Sequence, residues 1–323
     1  MGAVACAGWI ALAAAAEPIV SEPVVYRGMC DASAGVALSA ESFAVGNDED
    51  NILRTYHTGQ GGGPVRSADF SAFLRVDQKS PETDLEGAAW LGDRVFWITS
   101  HGRNRDGKYR ESRHRFFATE VLKTNDGVRL LPVGRPYTRL LADLLMDPRL
   151  RSFHLAAASK LPPKHRAALN IEGLCATPAG QLLIGFRNPI PFGRALVIPL
   201  LNPKDVINGS LARLGDPILL NLAGQGIRDI GFWRGNYLIV AGSPDAEGVS
   251  KIYQWGGVGT EPAQLPGVDL RDFNPEALVV YPDNPRSFQL LSDDGTLVIG
   301  GVDCKHLADP MQRRFRSVWI TPQ

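Results

Sequence analysis

Short apolar runs separated by glycine-, proline- and asparagine-containing turns recur along this chain at intervals of roughly fifty residues, a spacing typical of a repeated supersecondary unit. Each unit opens with a four-residue motif that contains at least one acidic residue. Two strand-like apolar runs joined by a turn follow it. After Glu86, for example, the runs are Ala88–Trp90 and Val95–Ile98, and Gly92 lies in the turn. The five copies are Asp31-Ala32-Ser33-Ala34, Asp84-Leu85-Glu86-Gly87, Asn170-Ile171-Glu172-Gly173, Ile227-Arg228-Asp229-Ile230 and Asn274-Pro275-Glu276-Ala277.

This repeat predicts an all-β protein, a five-bladed β-propeller with about four strands in each blade. The strand Val24–Arg27 precedes the first repeat, and we expect it to complete the blade formed by the C-terminus. Such closure leaves no open sheet edge. Four leucines between residues 140 and 145 have helical spacing, so we expect segment 137–169 to be a helical insertion. A six-bladed ring is the alternative if that segment contains strands.

The composition is that of an ordinary globular protein, with 44% hydrophobic and 21% charged residues. A length of 323 residues allows one large domain or two smaller ones, and the continuous repeat favours a single propeller domain over residues 17–323. The 34 basic and 34 acidic residues cancel, which disfavours bulk attraction to nucleic acid or anionic lipid. We expect a monomer that binds a small anionic substrate or ligand and does not insert stably into a membrane.

The first sixteen residues differ in kind from the rest, because Ala3–Ala16 are almost wholly small and apolar and end in an alanine run. They resemble a secretory signal, although the positively charged start is missing. We therefore expect residues 1–16 to be a signal peptide and the protein to be periplasmic or secreted; an alanine-rich tail is the alternative. In an oxidising compartment Cys30 and Cys304 could form a disulfide, because the ring brings the first and last repeats together. Three free, buried thiols are equally compatible with the sequence.

The repeated acid suggests a metal site. If each motif begins the innermost strand of a blade, its third residue meets its counterparts at one mouth of the central channel. Crowded carboxylates raise one another's pKa, and a hard cation such as Ca²⁺ with oxygen ligands relieves their repulsion. The alternative is that each acid accepts backbone N–H groups of the neighbouring blade and stabilises the fold without a metal. The predicted ligands are Ser33, Glu86, Glu172, Asp229 and Glu276.

A second group of polar residues follows the next strand of each unit. Arg103 and Arg187 could hold a phosphate or carboxylate through a planar, two-pronged donor, and His101 could act as an acid or base. We take these three as candidate catalytic residues; the alternative is that they are ordinary polar loop residues. The sequence contains no GxSxG or HExxH motif, and no cysteine has a recognisable catalytic partner.

Several segments resemble a bacterial family catalogued as domain of unknown function family 3616, and the resemblance covers nearly all of the chain after residue 16. This resemblance implies that the chain is related to that family, but the family has no established activity and so implies no function. The segments that carry it are Arg27–Ser33, Asp84–Ala89, Ser100–Asn104, Val133–Tyr137, Asn170–Leu174, Gly185–Pro189, Asn274–Leu278 and Leu291–Gly295.

Two looser resemblances bear on chemistry. The Glu-Gly openings look like those of the esterase-like phytase propellers, and a five-unit ring with acids at its mouth is similar to the calcium-activated nucleotidases, which hold one central Ca²⁺. This similarity implies the same five ligands, of which Asp229 departs from the Glu-Gly pattern. We expect a Ca²⁺-dependent hydrolase of a phosphate ester or anhydride. The alternative is a non-catalytic propeller that binds a ligand or protein and holds a structural ion.

Overall fold

The computed structural model describes residues 17–124, 127–245 and 248–323. The predicted signal peptide, residues 1–16, lies outside this part of the chain. The described residues form five small antiparallel sheets arranged in a ring, which is a five-bladed β-propeller and confirms the predicted fold. No described helix is long and apolar enough to cross a lipid bilayer.

The first three blades each contain four strands, which follow one another in sequence order from the channel outward, and all neighbouring strands are antiparallel. Blade 1 follows two short N-terminal strands, β1 (Ile19–Val20) and β2 (Val24–Arg27), and consists of β3 (Ala34–Ser39), β4 (Ser42–Gly46), β5 (Ile52–His57) and β6 (Arg66–Asp69). Blade 2 consists of β7 (Leu85–Leu91), β8 (Arg94–Thr99), β9 (Phe116–Thr124) and β10 (Gly127–Tyr137). Blade 3 consists of β11 (Asn170–Ala176), β12 (Leu182–Asn188), β13 (Ala195–Leu200) and β14 (Ile218–Leu220).

Blade 5 closes the ring as predicted, because β2 pairs with the last strand of the chain in the register Val24 to Ser317 through Arg27 to Arg314. Blade 4 consists of β15 (Gly226–Trp233), β16 (Asn236–Gly242), β17 (Lys251–Trp255) and β18 (Ala263–Gln264). Blade 5 consists of β19 (Pro275–Val279), β20 (Phe288–Ser292) and β23 (Arg314–Thr321), and a separate hairpin contains β21 (Val298–Ile299) and β22 (Val302–Asp303).

Helices are few and short, and the segment between blades 2 and 3 is the helical insertion that the leucine spacing predicted, not a sixth blade. Its leucines Leu140, Leu144 and Leu150 are buried against blades 2 and 3. The α-helices are α1 (Ser71–Leu74), α2 (Leu140–Met146), α3 (Leu155–Ala158) and α4 (Pro203–Val206). Single 3-10 turns span Glu111–Arg113, Pro148–Phe153, Pro191–Gly193 and Cys304–His306.

The innermost strands β3, β7, β11, β15 and β19 contact one another in a closed circle around the channel. Close approach between them explains the glycine in the Glu-Gly motif. A Cβ atom at Gly87 would lie 3.0 Å from the Cβ of Leu174, and one at Gly173 would lie 2.9 Å from Cγ2 of Ile227. A side chain at either position would therefore push adjacent blades apart. The remaining apolar side chains fill the spaces between blades, where most are fully buried.

A disulfide joins Cys30 to Cys304, two residues that are 274 positions apart in sequence. It links the segment that enters blade 1 to the loop before the last strand, so that the ring is closed by strand pairing and by a covalent bond. Of the two alternatives that the sequence left open, the disulfide is the one present. Cys175 is free and buried in the interior.

Candidate functional site

The repeated motif lies at one mouth of the channel, and β-bulges aim its third residue into that mouth. In β7, β11 and β19 the pairing register skips one residue, and the skipped residues are Glu86, Glu172 and Glu276. A bulged residue has no partner on the neighbouring strand, so its side chain can leave the plane of the sheet. All three glutamates line the same cavity.

The bulge in blade 4 corrects the predicted ligand set. The skipped residue of β15 is Arg228, so the true copy of the motif is Gly226–Asp229, one residue earlier than the sequence suggested. Asp229 does not join the ring of side chains at the mouth. Its buried carboxylate instead accepts the N–H groups of Ile230 and of Leu278 in the next blade, each at 2.7 Å. This residue follows the fold-stabilising alternative, and an arginine takes its predicted place.

The copy in blade 1 also differs from the others, because no bulge occurs at the start of β3. Ser33 is fully buried, and its hydroxyl has no hydrogen-bond partner among the described residues. The acid of this copy is Asp31, two residues earlier, which forms an isolated backbone bridge with Asp293 of blade 5. Blade 1 therefore contributes a carboxylate to the mouth from a position that the alignment of motifs did not select.

One arc of the mouth neutralises its own charges. We define the paired arc as Glu172, Arg187, Arg228 and Glu276, which come from blades 3, 4 and 5. Glu172 accepts a hydrogen bond from Arg187 at 2.8 Å and lies 3.7 Å from Arg228, which also pairs closely with Glu276. Burial raises the pKa of Glu172 although both arginines oppose that shift. The acids of this arc are compensated by arginines within hydrogen-bonding distance.

The other arc has carboxylates without such partners. We define the open arc as Asp31, Asp48, Glu86 and Asp293, from blades 1, 2 and 5. None of the four forms an ion pair with a lysine or arginine in the described part of the chain. Single oxygens of Asp31, Asp48 and the neighbouring Glu49 lie within 4.8 Å of one another. Lys305 pairs with Glu49 at 2.8 Å, and its charge also partly opposes the rise in the pKa of Asp31.

Electrostatics confirms the crowding of the open arc. Burial is the largest cause of the raised pKa values, and the charges of neighbouring carboxylates add to it. Together they raise the pKa of Asp31 to about 6 and hold those of Asp48, Glu86 and Asp293 well above the ordinary range. Without a cation, at least some of these groups keep a proton at neutral pH or repel one another strongly.

The charged mouth opens into two cavities that share one wall. The first, of about 710 Å³, contains the paired arc, and the second, of about 750 Å³, extends toward blade 2. Asp31, Asp48, Lys164 and Lys305 line both of them. The opposite end of the channel is a smaller cavity of about 450 Å³ with mostly apolar walls, such as Ala88, Leu174 and Ile230. An ionic ligand therefore fits the first end and not the second.

The three candidate catalytic residues do not come together. Arg187 lines the first cavity and is held by Glu172. His101 is buried, with Nδ1 2.7 Å from the carbonyl oxygen of Thr99 and its ring packed edge-on against His114, and burial lowers its pKa to about 4. Arg103 donates to the carbonyl oxygens of Ser159 and Gly107, so it anchors two loops.

The sequence contained a signal for the residues that the prediction missed. Asp48 and Asp293 stand just after the second strands of blades 1 and 5, in the same polar segments that supplied Arg187. The predicted metal ligands were taken from the innermost strands alone, and the polar segments after the second strands were considered only for catalytic residues. Combining both strand ends would have selected the open arc, because acids from the two positions converge there.

Solved structures with similar folds include the PQQ-bound aldose sugar dehydrogenase of Streptomyces coelicolor, at 11% identity over 95% of this chain and 100% of that chain, with a TM-score of 0.46. They also include RS223-β-xylosidase, at 9% identity over 92% and 94% of the two chains and a TM-score of 0.47. An engineered GH43 glycoside hydrolase matches at 12% identity over 92% of this chain and 52% of that chain, also with a TM-score of 0.47. Similarity this distant carries no argument about function.

No curated protein matches this chain in sequence. Residues 129–269, from the last strand of blade 2 to the end of blade 4, match the model of one protein family. That family is described as Protein of unknown function (DUF3616), and the match supports the resemblance that the sequence motifs carry.

Proposed function

We propose that the charged mouth binds Ca²⁺ and that the protein is a Ca²⁺-dependent hydrolase of a phosphate ester or anhydride. The open arc carries this proposal: four carboxylates from three blades line the mouth without an ion pair to a lysine or arginine among the described residues, and oxygens of Asp31 and Asp48 lie within 4.8 Å of one another. Oxygen ligands in this number suit Ca²⁺ better than zinc. Asp31, Asp48, Asp293 and Glu86 are the ligands we propose, and the unpartnered hydroxyl of Ser33 lies in the same motif.

The chain's own residues supply the rest of the site. Bound Ca²⁺ would polarise a phosphoryl oxygen and lower the pKa of a coordinated water. The paired arc keeps Arg187 and Arg228 in the first cavity beside Glu172 and Glu276, so these arginines are not free to neutralise the open arc. Lys164 reaches the same space from the helical insertion. The proposal agrees with the looser resemblance to esterase-like phytase propellers and calcium-activated nucleotidases.

Two observations favour a second candidate, a non-catalytic propeller that binds a ligand or protein and holds a structural ion. Arginines already neutralise the acids of the paired arc, and His101 is buried away from the mouth with Nδ1 engaged by Thr99. A hydrolase would then need a carboxylate or a coordinated water as its base, because the predicted histidine is not available to a substrate.

Calcium titration of protein stripped of metal tests the ion site. We expect Ca²⁺ to raise the melting temperature of the wild type, because a ligand that binds the folded state stabilises it. Asp48→Asn should abolish this shift. Asp106→Asn is the matched control, since Asp106 lines the second cavity but lies outside the open arc and is largely exposed. Identical melting with calcium and with chelator would contradict the ion site.

A substrate panel separates the two functions. Phosphoesters, nucleotides, phytate and lactones are assayed with and without Ca²⁺, using the wild type and Asp48→Asn. Calcium-dependent turnover that disappears in the variant supports the hydrolase. If calcium stabilises the protein but nothing in the panel is turned over, the binding propeller with a structural ion replaces it.

We also propose export to the periplasm or the medium, because the disulfide between Cys30 and Cys304 belongs to an oxidising compartment. A monomer that binds a small anion, without nucleic acid, is consistent with the zero net charge and with the charged mouth. Labelling of free thiols in protein purified from the periplasm and from the cytosol tests the compartment. Protein found only in the cytosol, with Cys30 and Cys304 labelled, would contradict export.

A further inference from the structure

The two cavities of the charged mouth meet at the open arc and not beside it. Asp31 and Asp48 stand on their shared wall, so a cation held there would face both cavities. Each cavity, at about 710 and 750 Å³, is large enough for a substituent the size of a nucleoside or sugar. A ligand centred on this wall therefore has room to extend in two directions.

Lys164 also stands on the shared wall, and the chain holds it there from three sides. The loop around it contacts residues of blades 2, 3 and 4. Arg103 Nε donates to the carbonyl oxygen of Ser159 at 3.0 Å, and Asn188 Nδ2 donates to that of Pro163 at 2.9 Å. At the far side Arg166 lies 3.7 Å from Asp245. Arg103 therefore serves as a positioning residue for this loop.

The ammonium group of Lys164 has no hydrogen bond or ion pair within the described ranges, and the side chain is exposed to solvent. The other cations near the shared wall are engaged. Lys305 pairs with Glu49, Arg187 with Glu172, and Arg316 with Asp294. Lys164 is thus a cation that a ligand can take without breaking an existing pair.

We infer that the substrate carries a central phosphate group with two substituents, as in a phosphodiester or a phosphoanhydride, and that Lys164 binds this phosphate. The inference rests on the proposed function and narrows its substrate class. In the reaction, a water oxygen forms a bond to phosphorus while the bond from phosphorus to one bridging oxygen breaks. The leaving oxygen takes up the proton that water gives up, and the phosphate keeps the second substituent.

Diphenyl phosphate and phenyl phosphate test this class, with release of phenol and calorimetric binding measured for both in Ca²⁺. We expect the diester to be preferred at least tenfold in kcat/KM and in affinity. A simple attraction by positive charge predicts the opposite order, because the monoester is the more negative of the two. Lys164→Met should weaken diester binding at least tenfold and leave the calcium-dependent melting shift unchanged.

Lys160→Met is the matched control, since Lys160 is an exposed lysine on the same segment that does not line either cavity. It should behave as the wild type. Equal or better use of the monoester, or wild-type behaviour of Lys164→Met, overturns the inference and leaves the hydrolase standing. Preferential diester binding without turnover of any substrate supports a site that holds one substituent in each cavity. That result would reject only the proposed hydrolase activity.

Discussion

The two arcs of the channel mouth use the same repeated acid in opposite ways. In the paired arc, Glu172 and Glu276 share the guanidinium of Arg228, and Arg187 supports Glu172 from the next strand. In the open arc, Glu86 occupies the equivalent bulge, but the charges that act on it are those of Asp84 and other carboxylates, Asp48 among them. One substitution in the repeat, an arginine at the bulge of blade 4, accounts for much of the difference.

This contrast separates stability from function. A buried carboxylate with an arginine at hydrogen-bonding distance is electrostatically satisfied and has little capacity to bind an ion. A group of carboxylates without such a partner is costly to the apo protein and gains most from a cation. We therefore expect substitutions in the paired arc to lower the free energy of unfolding. Substitutions in the open arc should instead change how far calcium raises it.

The largest effect is expected for Arg228→Met. Its removal leaves Glu172 and Glu276 without their shared cation in a buried site, and the loss of one partner of such a pair costs about 3–5 kcal/mol of the free energy of unfolding. Urea denaturation measures this. Arg271→Met is the control, because its pair with Asp269 is exposed and should contribute little. A loss as small as that of the control would show that the paired arc does not stabilise the fold.

The repeat made the fold predictable, because apolar runs and turns report blade order directly. The closure by Val24–Arg27 and the third strands, such as Ile52–His57, follow from the same pattern. The helical insertion was also predictable from its four leucines at helical spacing, of which Leu140 and Leu144 are buried in one cluster and Leu141 packs against it. These features depend on local periodicity and on burial, which one sequence contains.

The site was only partly predictable, because it depends on one-residue register. A bulge displaces a side chain from one face of a strand, and the sequence did not indicate that the bulge of blade 4 falls on Arg228 and not on Asp229. The convergence of Asp31 with Asp293 joins the two ends of the chain across the closed ring. Neither the pairing of Arg228 with Glu276 nor the burial of His101 has a local signal.

Calcium should stabilise the protein through the open arc alone. At a free concentration one hundred times the dissociation constant, we expect the free energy of unfolding to rise by about 2.7 kcal/mol. Asp293→Asn should remove most of this gain, because Asp293 belongs to the open arc. Glu276→Gln should keep it, although it weakens the fold, since Glu276 is already paired with Arg228. Chemical denaturation with and without calcium distinguishes the variants. An equal loss of the calcium effect in both would show that the two arcs form one ion-binding site.

Two buried histidines of blade 2, His101 and His114, add a pH dependence to the free energy of unfolding. This dependence is separate from that of the carboxylates in the two arcs. Burial first, and then the charges of His101, Arg115 and Arg113, lower the pKa of His114 to about 3 in the folded protein. The unfolded chain has an ordinary histidine pKa near 6.5, so it binds more protons between these values. The contribution of neutral His114 to the free energy of unfolding is therefore fully present above about pH 6.5. It falls as the pH decreases, by up to about 1.4 kcal/mol per pH unit.

His114→Phe keeps a ring against Tyr109 and should remove the part of this slope that His114 contributes, leaving the part due to His101. Denaturation curves of the wild type and the variant between pH 7 and pH 5 test the difference. His57→Phe serves as a control at an exposed position and should follow the wild type. If the variant and the wild type lose stability in parallel, His114 is not buried in its neutral form.

The smallest effect is also the one most specific to the open arc. In protein freed of calcium, Asp48→Asn should raise the free energy of unfolding by about 1 kcal/mol, because it removes a half-buried carboxylate that neighbouring carboxylates repel. Glu172→Gln, the same chemical change in the paired arc, should lower it, since Arg187 loses its carboxylate partner. Opposite signs for these two variants, measured by urea denaturation in chelator, are what the comparison requires. If Asp48→Asn destabilises the calcium-free protein as Glu172→Gln does, then the Asp48 carboxylate makes a favourable interaction in that state and is not repelled by its neighbours.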